Sequence, residues 1–355
     1  MSATAGDREQ RVLDIIETAR AKRPRFRDER ITLAHGAGGK ATQTLIEGLL
    51  APAFGLGELL DAAAVEGIAI TSDSFVVKPL RFPGGSIGEL AVNGTVNDLA
   101  MAGARPLAIT VAMILEEGLV ADVLRAEVDA IAAAADTAGV AVVGGDTKVV
   151  ERGAADQMYL STSGIGRVDP RGRLAPQRIQ AGDQVLVSGP IGEHGTAIML
   201  ARNEFDLDAE IVSDTCSLWP VVDALLGVAG ADLHCLRDAT RGGVASVLNE
   251  LARAAGATVV VSEADVPVTP IVQAAAELLG IDPMYVANEG KLVAFVAPQA
   301  ADAALQAVRA LPGCERAAVI GEVRREQPGM VLVETSFGGR RVMDQLVGDP
   351  LPRIC

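Results

Sequence analysis

The chain has 355 residues, 49% of them hydrophobic, with mean hydropathy +0.30, which is enough for two domains with sizeable cores. Its net charge of −15 argues against binding along nucleic acid or an anionic membrane. Four cysteines without a C-x-x-C pair, and only three histidines, argue against a zinc site or a disulfide framework; Cys216, Cys235 and Cys314 read as small buried hydrophobes.

In chain order, the first thirty residues read as a helix and a charged linker set apart from the core, with no secretory pattern. No apolar run reaches membrane-spanning length, so a soluble, cytoplasmic protein is expected. Ala34-His35-Gly36-Ala37-Gly38-Gly39-Lys40 then leads into a helical stretch to Leu50. Glycines before a helix expose backbone N–H groups and a lysine adds a point charge, so Gly36, Gly38, Gly39 and Lys40 are phosphate-binding candidates, although a flexible loop explains them equally well. The spacing is neither a Walker A loop nor a dinucleotide fingerprint. Val65 to Val77 is a predicted strand region carrying Thr71-Ser72-Asp73-Ser74. Ser86-Ile87-Gly88-Glu89 has capping-box spacing and opens a predicted helix through about Ala102. Within it, Asn93 and Asn97 lie one turn apart on one face, with Thr95 and Asp98 nearby. Such polar crowding is poor core material among Leu90, Val92, Val96 and Leu99, and marks Asn93, Thr95 and Asn97 as candidate nucleotide contacts. Further predicted elements are a strand over Pro106 to Leu115, a helix over Ala121 to Ala138 and a short buried strand over Val140 to Val143. That strand runs into Gly144-Gly145-Asp146-Thr147-Lys148, an acid at a strand end, where ligand sites gather. Met158 to Val168 is another strand, and Asp169 to Arg173 a polar domain boundary.

In the second half, strands are predicted at Gln184 to Ser188, Thr258 to Val261, Leu292 to Val296, Ala317 to Val323 and Val331 to Glu334. Helices are predicted at Gly195 to Arg202, Ser213 to Leu226, Thr240 to Ala255 and Pro270 to Leu279. Leu236-Arg237-Asp238-Ala239-Thr240-Arg241-Gly242-Gly243 reads as a helix opening. Asp73, Asp98, Asp146 and Asp238 are oxygen ligands of the kind Mg²⁺ prefers, with nucleotide phosphates completing its shell; each alone is more often a cap or turn residue. From Met343 a thin tail, with Pro350 and Pro352 opposing helix, ends on Pro352-Arg353-Ile354-Cys355. A thiol on a mobile end can be loaded at one site and processed at another. The α-carboxylate on the same residue disfavours the thiolate, and Arg353 favours it.

The glycine-rich loop, T-S-D-S, N-G-T-V-N-D-L-A-M-A-G-A, V-V-G-G-D-T-K-V, G-P-I-G-E-H-G, R-D-A-T-R-G-G-V, N-E-G-K and the terminal P-R-I-C together resemble the HypE family of hydrogenase maturation proteins, in order from about Ile31 to Cys355. The middle motifs are similar to those of aminoimidazole ribonucleotide synthetase, selenophosphate synthetase and thiamine-monophosphate kinase, and P-R-I-C narrows the choice. The resemblance implies an α+β, two-domain aminoimidazole ribonucleotide synthetase-like (PurM-like) fold with a flexible C-terminal tail. Its expected divisions are an extension (1–30), an ATP-binding and dimerisation domain (31–168), an α/β domain (169–342) and the tail (343–355). It also implies a homodimer joined through the N-terminal sheets, with ATP and Mg²⁺ near that interface. The implied reaction is ATP-dependent dehydration of an S-carboxamide on Cys355 to a thiocyanate. A HypF carbamoyltransferase loads the thiol, and a HypC–HypD complex receives the cyano group for the iron of NiFe hydrogenase. Glu289 is then the candidate base, with Lys148 and His194 as lesser candidates for positioning the substrate. The rival readings are another ATP-dependent enzyme of the superfamily and a non-catalytic thiol carrier. A selenophosphate synthetase is expected to carry a reactive Cys before the glycine-rich loop, where Ile31-Thr32-Leu33-Ala34-His35 has none.

Overall fold

The computed structural model describes residues 25–57, 60–202, 210–346 and 353–355. The helix expected in the first two dozen residues, and the 347–352 span of the tail, lie outside the described residues. Residues 25–32 run without regular structure into a 3-10 turn, Leu33–Gly36. Helix α1 (Lys40–Leu45), a π turn and α2 (Ala51–Phe54) follow. The N-terminal half then comprises β1 (Ala63–Val65), β2 (Ile68–Phe75), the ribbon β3 (Arg81–Phe82) and β4 (Gly85–Ser86), helix α3 (Ile87–Met101), β5 (Ala104–Glu116), helix α4 (Ala121–Ala138), β6 (Ala141–Val150) and β7 (Met158–Val168). Five strands form one sheet in the order β1-β2-β7-β5-β6, in which only β5 and β6, joined through α4, run parallel.

Strand β2 alternates as a half-buried strand should, with Ala69, Thr71 and Phe75 inside and Ile70, Ser72 and Ser74 outside. Helix α3 lies on the inner face and is apolar almost all round. Of its residues only Glu89 and Asp98 escape full burial, because the C-terminal half covers the side turned away from the sheet. Gly94 permits the close approach, since a Cβ there would come within 2.9 Å of the Phe75 ring.

The C-terminal half contains β8 (Gln184–Val187), α5 (Glu193–Ala201), α6 (Trp219–Ala229), β9 (Leu233–Asp238), α7 (Gly243–Ala255), β10 (Thr258–Ser262), α8 (Pro270–Leu279), β11 (Leu292–Val296), α9 (Pro298–Arg309), β12 (Ala318–Arg324), β13 (Val331–Glu334) and β14 (Arg340–Met343). Its seven-stranded sheet runs β14-β13-β10-β12-β8-β11-β9, antiparallel except for β10 with β13. Strand β11 is buried along its whole length and feeds two cores by simple alternation. Val293 and Phe295 join the core under α7, while Leu292, Ala294 and Val296 join the core under α6 and α9. The second core also takes in Ala100 and Met101 of α3, which ties the halves together.

The structure corrects several local expectations. The segment read as a short buried strand at Val140 to Val143 is the start of β6, which runs to Val150 and is exposed, because it is the edge of its sheet. The capping box at Ser86 does not form. Ser86 Oγ has no partner, and the Gly88 N–H donates instead to Glu127 Oε2 of α4 at 3.1 Å. The helix expected from Ser213 starts at Trp219, with Pro220 in its first turn, and the helix expected from Thr240 starts at Gly243. Strand β9 occupies part of the stretch read as a helix opening, and α9 and β14 were not anticipated. Of the three cysteines read as buried, Cys235 is; Cys314 is half-buried and Cys216 exposed.

Candidate active site

The two halves meet at a carboxylate cluster. Asp61 precedes β1, Asp98 lies at a half-buried position of α3 and Asp238 ends β9; one oxygen of each lies within 4.8 Å of the others. Asp98 Oδ2 accepts from Thr71 Oγ1 at 2.7 Å, and Asp61 pairs with Arg237 at 2.7 Å. Asp73 sits one strand step along β2 on the same face as Thr71, with its Oδ1 accepting the Ser74 N–H at 2.7 Å. Burial, followed by the charges of Asp238, Asp61 and Asp73, holds the Asp98 carboxyl well above the usual carboxylate range. Burial and then Asp61 push Asp238 up to about 8. Burial also raises Asp61 and Asp73, against Arg237 for the first and the Ser74 N–H and Arg241 for the second. Crowded carboxylates with oxygen donors only are the donor set of a hard divalent cation, whose charge would relieve this repulsion. The residues present fit Mg²⁺.

The glycine-rich loop leans on the same region through Arg241. The Arg241 Nη1 donates to the Gly36 carbonyl at 2.7 Å, and Gly38, at φ +78, lies so close that a Cβ would stand 3.0 Å from that of Arg241. The Arg241 charge is felt by both Asp73 and Glu289, so this arginine links loop and carboxylates. Lys40, expected to meet phosphate, pairs with Asp344 at 2.7 Å, and its N–H donates to the Leu346 carbonyl at 3.0 Å.

Glu289 is not the exposed turn carboxylate that its sequence context allows; it is 3% exposed. Its N–H and that of Gly290 donate to the buried Asp214 carboxylate, which also pairs with Lys291 at 3.0 Å. Its Oε1 is buried without a hydrogen-bond partner. Burial, then Asp238, Asp214 and Asp73, hold this carboxyl well above the usual range. His194 is fully buried. Its Nδ1 lies 2.8 Å from Ser213 Oγ and its Nε2 2.8 Å from the Ile354 carbonyl, which requires the proton on Nε2. Burial depresses its pKa, so it is a neutral imidazole.

The chain terminus docks here. The Val76 N–H donates to the Cys355 carbonyl at 3.1 Å and the Lys78 N–H to the Arg353 carbonyl at 3.3 Å. Ile354 is 1% exposed, and Cys355 packs against the core that contains Phe75 and Val77. Asp73 is three residues before Val76, so the terminal residue lies roughly 10 Å along the strand from the carboxylate cluster.

The structure therefore gathers Asp73, Asp98, Asp238, Glu289, His194, Cys355 and the Gly36 to Lys40 loop into one region. It does not bring in Asp146 and Lys148. Residues Asp73, Thr162, Val111 and Gly145 are successive partners across β2, β7, β5 and β6, so Asp146 begins three strand spacings, about 14 Å, from Asp73. Both are exposed on the sheet edge, paired with each other at 2.6 Å. Thr95 and Asn97 need a second correction. Thr95 is fully buried against Thr162 of β7, and Asn97 donates to the Cys216 and Glu289 carbonyls and accepts from the Leu218 N–H, so Thr95 ties α3 to the sheet, Asn97 fixes the loops around Glu289, and neither has a free polar atom for a nucleotide. Asn93 retains a weaker tie, to Thr215 Oγ1 at 3.2 Å. Sequence reading missed Asp61, Asp214 and Arg241. Arg241 lay inside a motif already singled out, while nothing local marks the other two.

Known proteins resemble this chain over most of its length. Residues 59–168 match the family model of AIR synthase related protein, N-terminal domain, and residues 180–333 that of its C-terminal domain. The chain is 47% identical over 339 residues to the carbamoyl dehydratase HypE of Rhodobacter capsulatus, covering 93% of this chain and 99% of the relative. Among solved structures it is similar to HypE in a HypE–HypF complex (TM-score 0.82, 43% identity, 85% of this chain and 99% of that one). It is also similar to HypE in complex with ATP (TM-score 0.78, 42% identity, 92% and 100%).

Proposed function

The chain belongs to the HypE carbamoyl dehydratase family of hydrogenase maturation, and from that premise we propose how its own residues carry out the reaction. The substrate is an S-carboxamide on Cys355, and the product a thiocyanate that supplies cyanide ligands for the iron of NiFe hydrogenase. The observation that carries this reading is the docked terminus, which sets Cys355 roughly 10 Å from a carboxylate cluster suited to Mg²⁺, in the same region as a buried glutamate whose Oε1 has no hydrogen-bond partner.

In the overall change the carboxamide oxygen leaves with the γ-phosphoryl group of ATP as phosphate, ADP is released, and both protons leave the nitrogen. A relative is solved with ATP. Asp61, Asp98 and Asp238, with Asp73 adjoining, would hold Mg²⁺, which when bound neutralises charge on the transferring phosphoryl group. Lys40 reaches a phosphate by exchanging it for Asp344. Glu289 takes a nitrogen proton; a carboxyl raised by burial is a stronger base near neutral pH than an exposed one. His194 donates from Nε2 to the Ile354 carbonyl and thereby positions the terminal residue rather than supplying a proton.

The outward face of the N-terminal sheet exposes Ile70, Ile114 and Ile165, and its edge strand exposes Val142, Val143 and Val149. These support a homodimer joined through this sheet, in which Asp146 and Lys148 join a site only across the subunit boundary. A relative is solved with HypF, which supports HypF as the carbamoyl donor here; HypC–HypD is the proposed acceptor. Among the described residues no helix is long and apolar enough to cross a membrane.

Mass analysis of the C-terminal peptide tests the reading. Incubation with HypF and its substrates should add a carbamoyl group to Cys355, and ATP with Mg²⁺ should then remove one water. Cys355→Ala should acquire neither change. Carbamoylation without loss of water would favour the carrier reading, and a modified Cys355→Ala would refute the swinging terminus.

A further inference from the structure

We propose that Asp156 and Arg202 form a reading site for Arg353, and that these two side chains set the register in which the terminus docks at the end of β2. Asp156 lies in the turn between β6 and β7, and Arg202 follows helix α5, so the two approach Arg353 from different halves of the molecule. Arg353 Nη1 donates to Asp156 Oδ2 at 2.8 Å while its Nε donates to the Val76 carbonyl at 3.2 Å. Arg202 Nη2 donates to the Arg353 carbonyl at 2.6 Å, and Arg202 Nε to the Lys78 carbonyl at 2.9 Å. The backbone of Arg353 has φ +57, a left-handed conformation that costs a side-chain-bearing residue about 1 kcal/mol or more and persists only when its surroundings fix it.

This conformation gives the site its selectivity. It turns the Arg353 carbonyl toward Arg202 and the Lys78 N–H, and sends the guanidinium to Asp156 and the Val76 carbonyl. The planar fork of an arginine serves two acceptors at once, and a lysine at 353 reaches only one of them. Lys78 Nζ shares the same Asp156 oxygen at 3.0 Å, so Asp156 gathers both the segment after β2 and the docked terminus. A slip of one residue would put Ile354 at Asp156 and remove Cys355 from its place beside Val76. Asp156 and Arg202 are positioning residues: they hold the acceptor and touch none of the reacting atoms.

The test is the rate at which iodoacetamide alkylates Cys355 in the full-length protein, followed by mass of the C-terminal peptide so that Cys216, Cys235 and Cys314 do not interfere. Asp156→Asn and Arg202→Gln should each raise that rate about fivefold, the scale of a partly exposed ion pair. Asp156→Glu, which keeps the carboxylate, should recover most of the protection. Arg353→Gln should raise the rate at least as much as Asp156→Asn, and the double variant should fall short of the product of the two, because both lose the Arg353–Asp156 contact. Each variant must melt at the wild-type temperature, with Arg202→Lys replacing Arg202→Gln if the latter does not. Wild-type alkylation in both Asp156→Asn and the Arg202 variant, or effects of Asp156→Asn and Arg353→Gln that simply multiply, would overturn the proposal. The inference deepens the reading of Cys355 as acceptor, but the readout needs neither ATP nor a carbamoyl group. Its failure leaves the dehydratase reading standing, and failure of the mass assay leaves the docking site standing.

Discussion

Asp98 is held among like charges, and that conflict separates its effect on stability from its effect on function. Asp98→Asn removes a buried carboxyl from beside Asp61 and Asp238 while keeping an oxygen for the Thr71 hydroxyl. Stability should be unchanged or higher by up to about 1 kcal/mol, and Mg²⁺-dependent ATP turnover should fall by about 100-fold. A turnover at the wild-type rate would remove Asp98 from the site. His194 gives a test in pH. Burial holds its folded pKa below the ordinary 6.5, so as pH falls the unfolded chain takes up the proton first. The stability involved is complete above about 6.5 and is lost as pH drops through the folded value. The melting advantage of wild type over His194→Gln should therefore shrink between about pH 7.5 and about pH 5.5, and a constant difference would contradict a buried neutral imidazole. At this scale the sequence made Asp98 visible as a polar residue in an apolar helix and Asp238 as an acid at an expected helix opening, while Glu289 came in only through the family resemblance. Asp61 and Asp214 sit in unremarkable contexts, and only long-range folding brings them in.

Among the elements, α3 and the loop at Glu289 depend on each other. Asn97 of α3 holds the loop carbonyl, and Asp214 gathers the loop N–H groups. Gly290 makes this possible, since a Cβ there would lie 1.8 Å from the Asp214 carbonyl oxygen, a backbone atom that cannot step aside. Gly290→Ala should cost about 3 kcal/mol or more, read as an early thermal transition. A wild-type melting temperature would mean that the loop packs differently. Helix α4 and strand β7 were legible to the residue because their periodicity matches one-sided burial. Strand β6 was misread because its apolar start resembles a core strand, and nothing local says that a sheet ends there. The polar residues of α3 suggested a ligand face, whereas Thr95 and Asn97 serve contacts to β7 and to the loops around Glu289 that single-chain periodicity does not reveal.

For the whole molecule, the exposed valines of β6 set the expected assembly. Val143 is 66% exposed and Val149 67%, on an edge whose backbone groups are open to pairing. Val143→Lys should convert a dimer into a monomer by light scattering at micromolar protein while leaving thermal stability of the subunit nearly unchanged. A wild-type protein that is monomeric yet active would defeat the dimer. The two-part organisation was readable from the alternation of elements and the polar stretch at Asp169 to Arg173, and the α+β class from the family resemblance, but the way the halves share α3 was not.

The grip of Lys40 on Leu346 and Asp344 sets a leash length for the terminal thiol. With that grip closed and the Arg353 anchor open, nine peptide steps separate Leu346 from Cys355, and a fully stretched chain spans about 30 Å. With both open, the leash begins at Gln345, which Arg253 and Glu250 still hold, and lengthens only slightly, to about 33 Å. An enzyme that loads Cys355 must therefore bring its own active atoms inside a sphere of that radius, and a phosphate on the Lys40 ammonium would leave the sphere almost unchanged, because the Lys40 N–H keeps its bond to the Leu346 carbonyl.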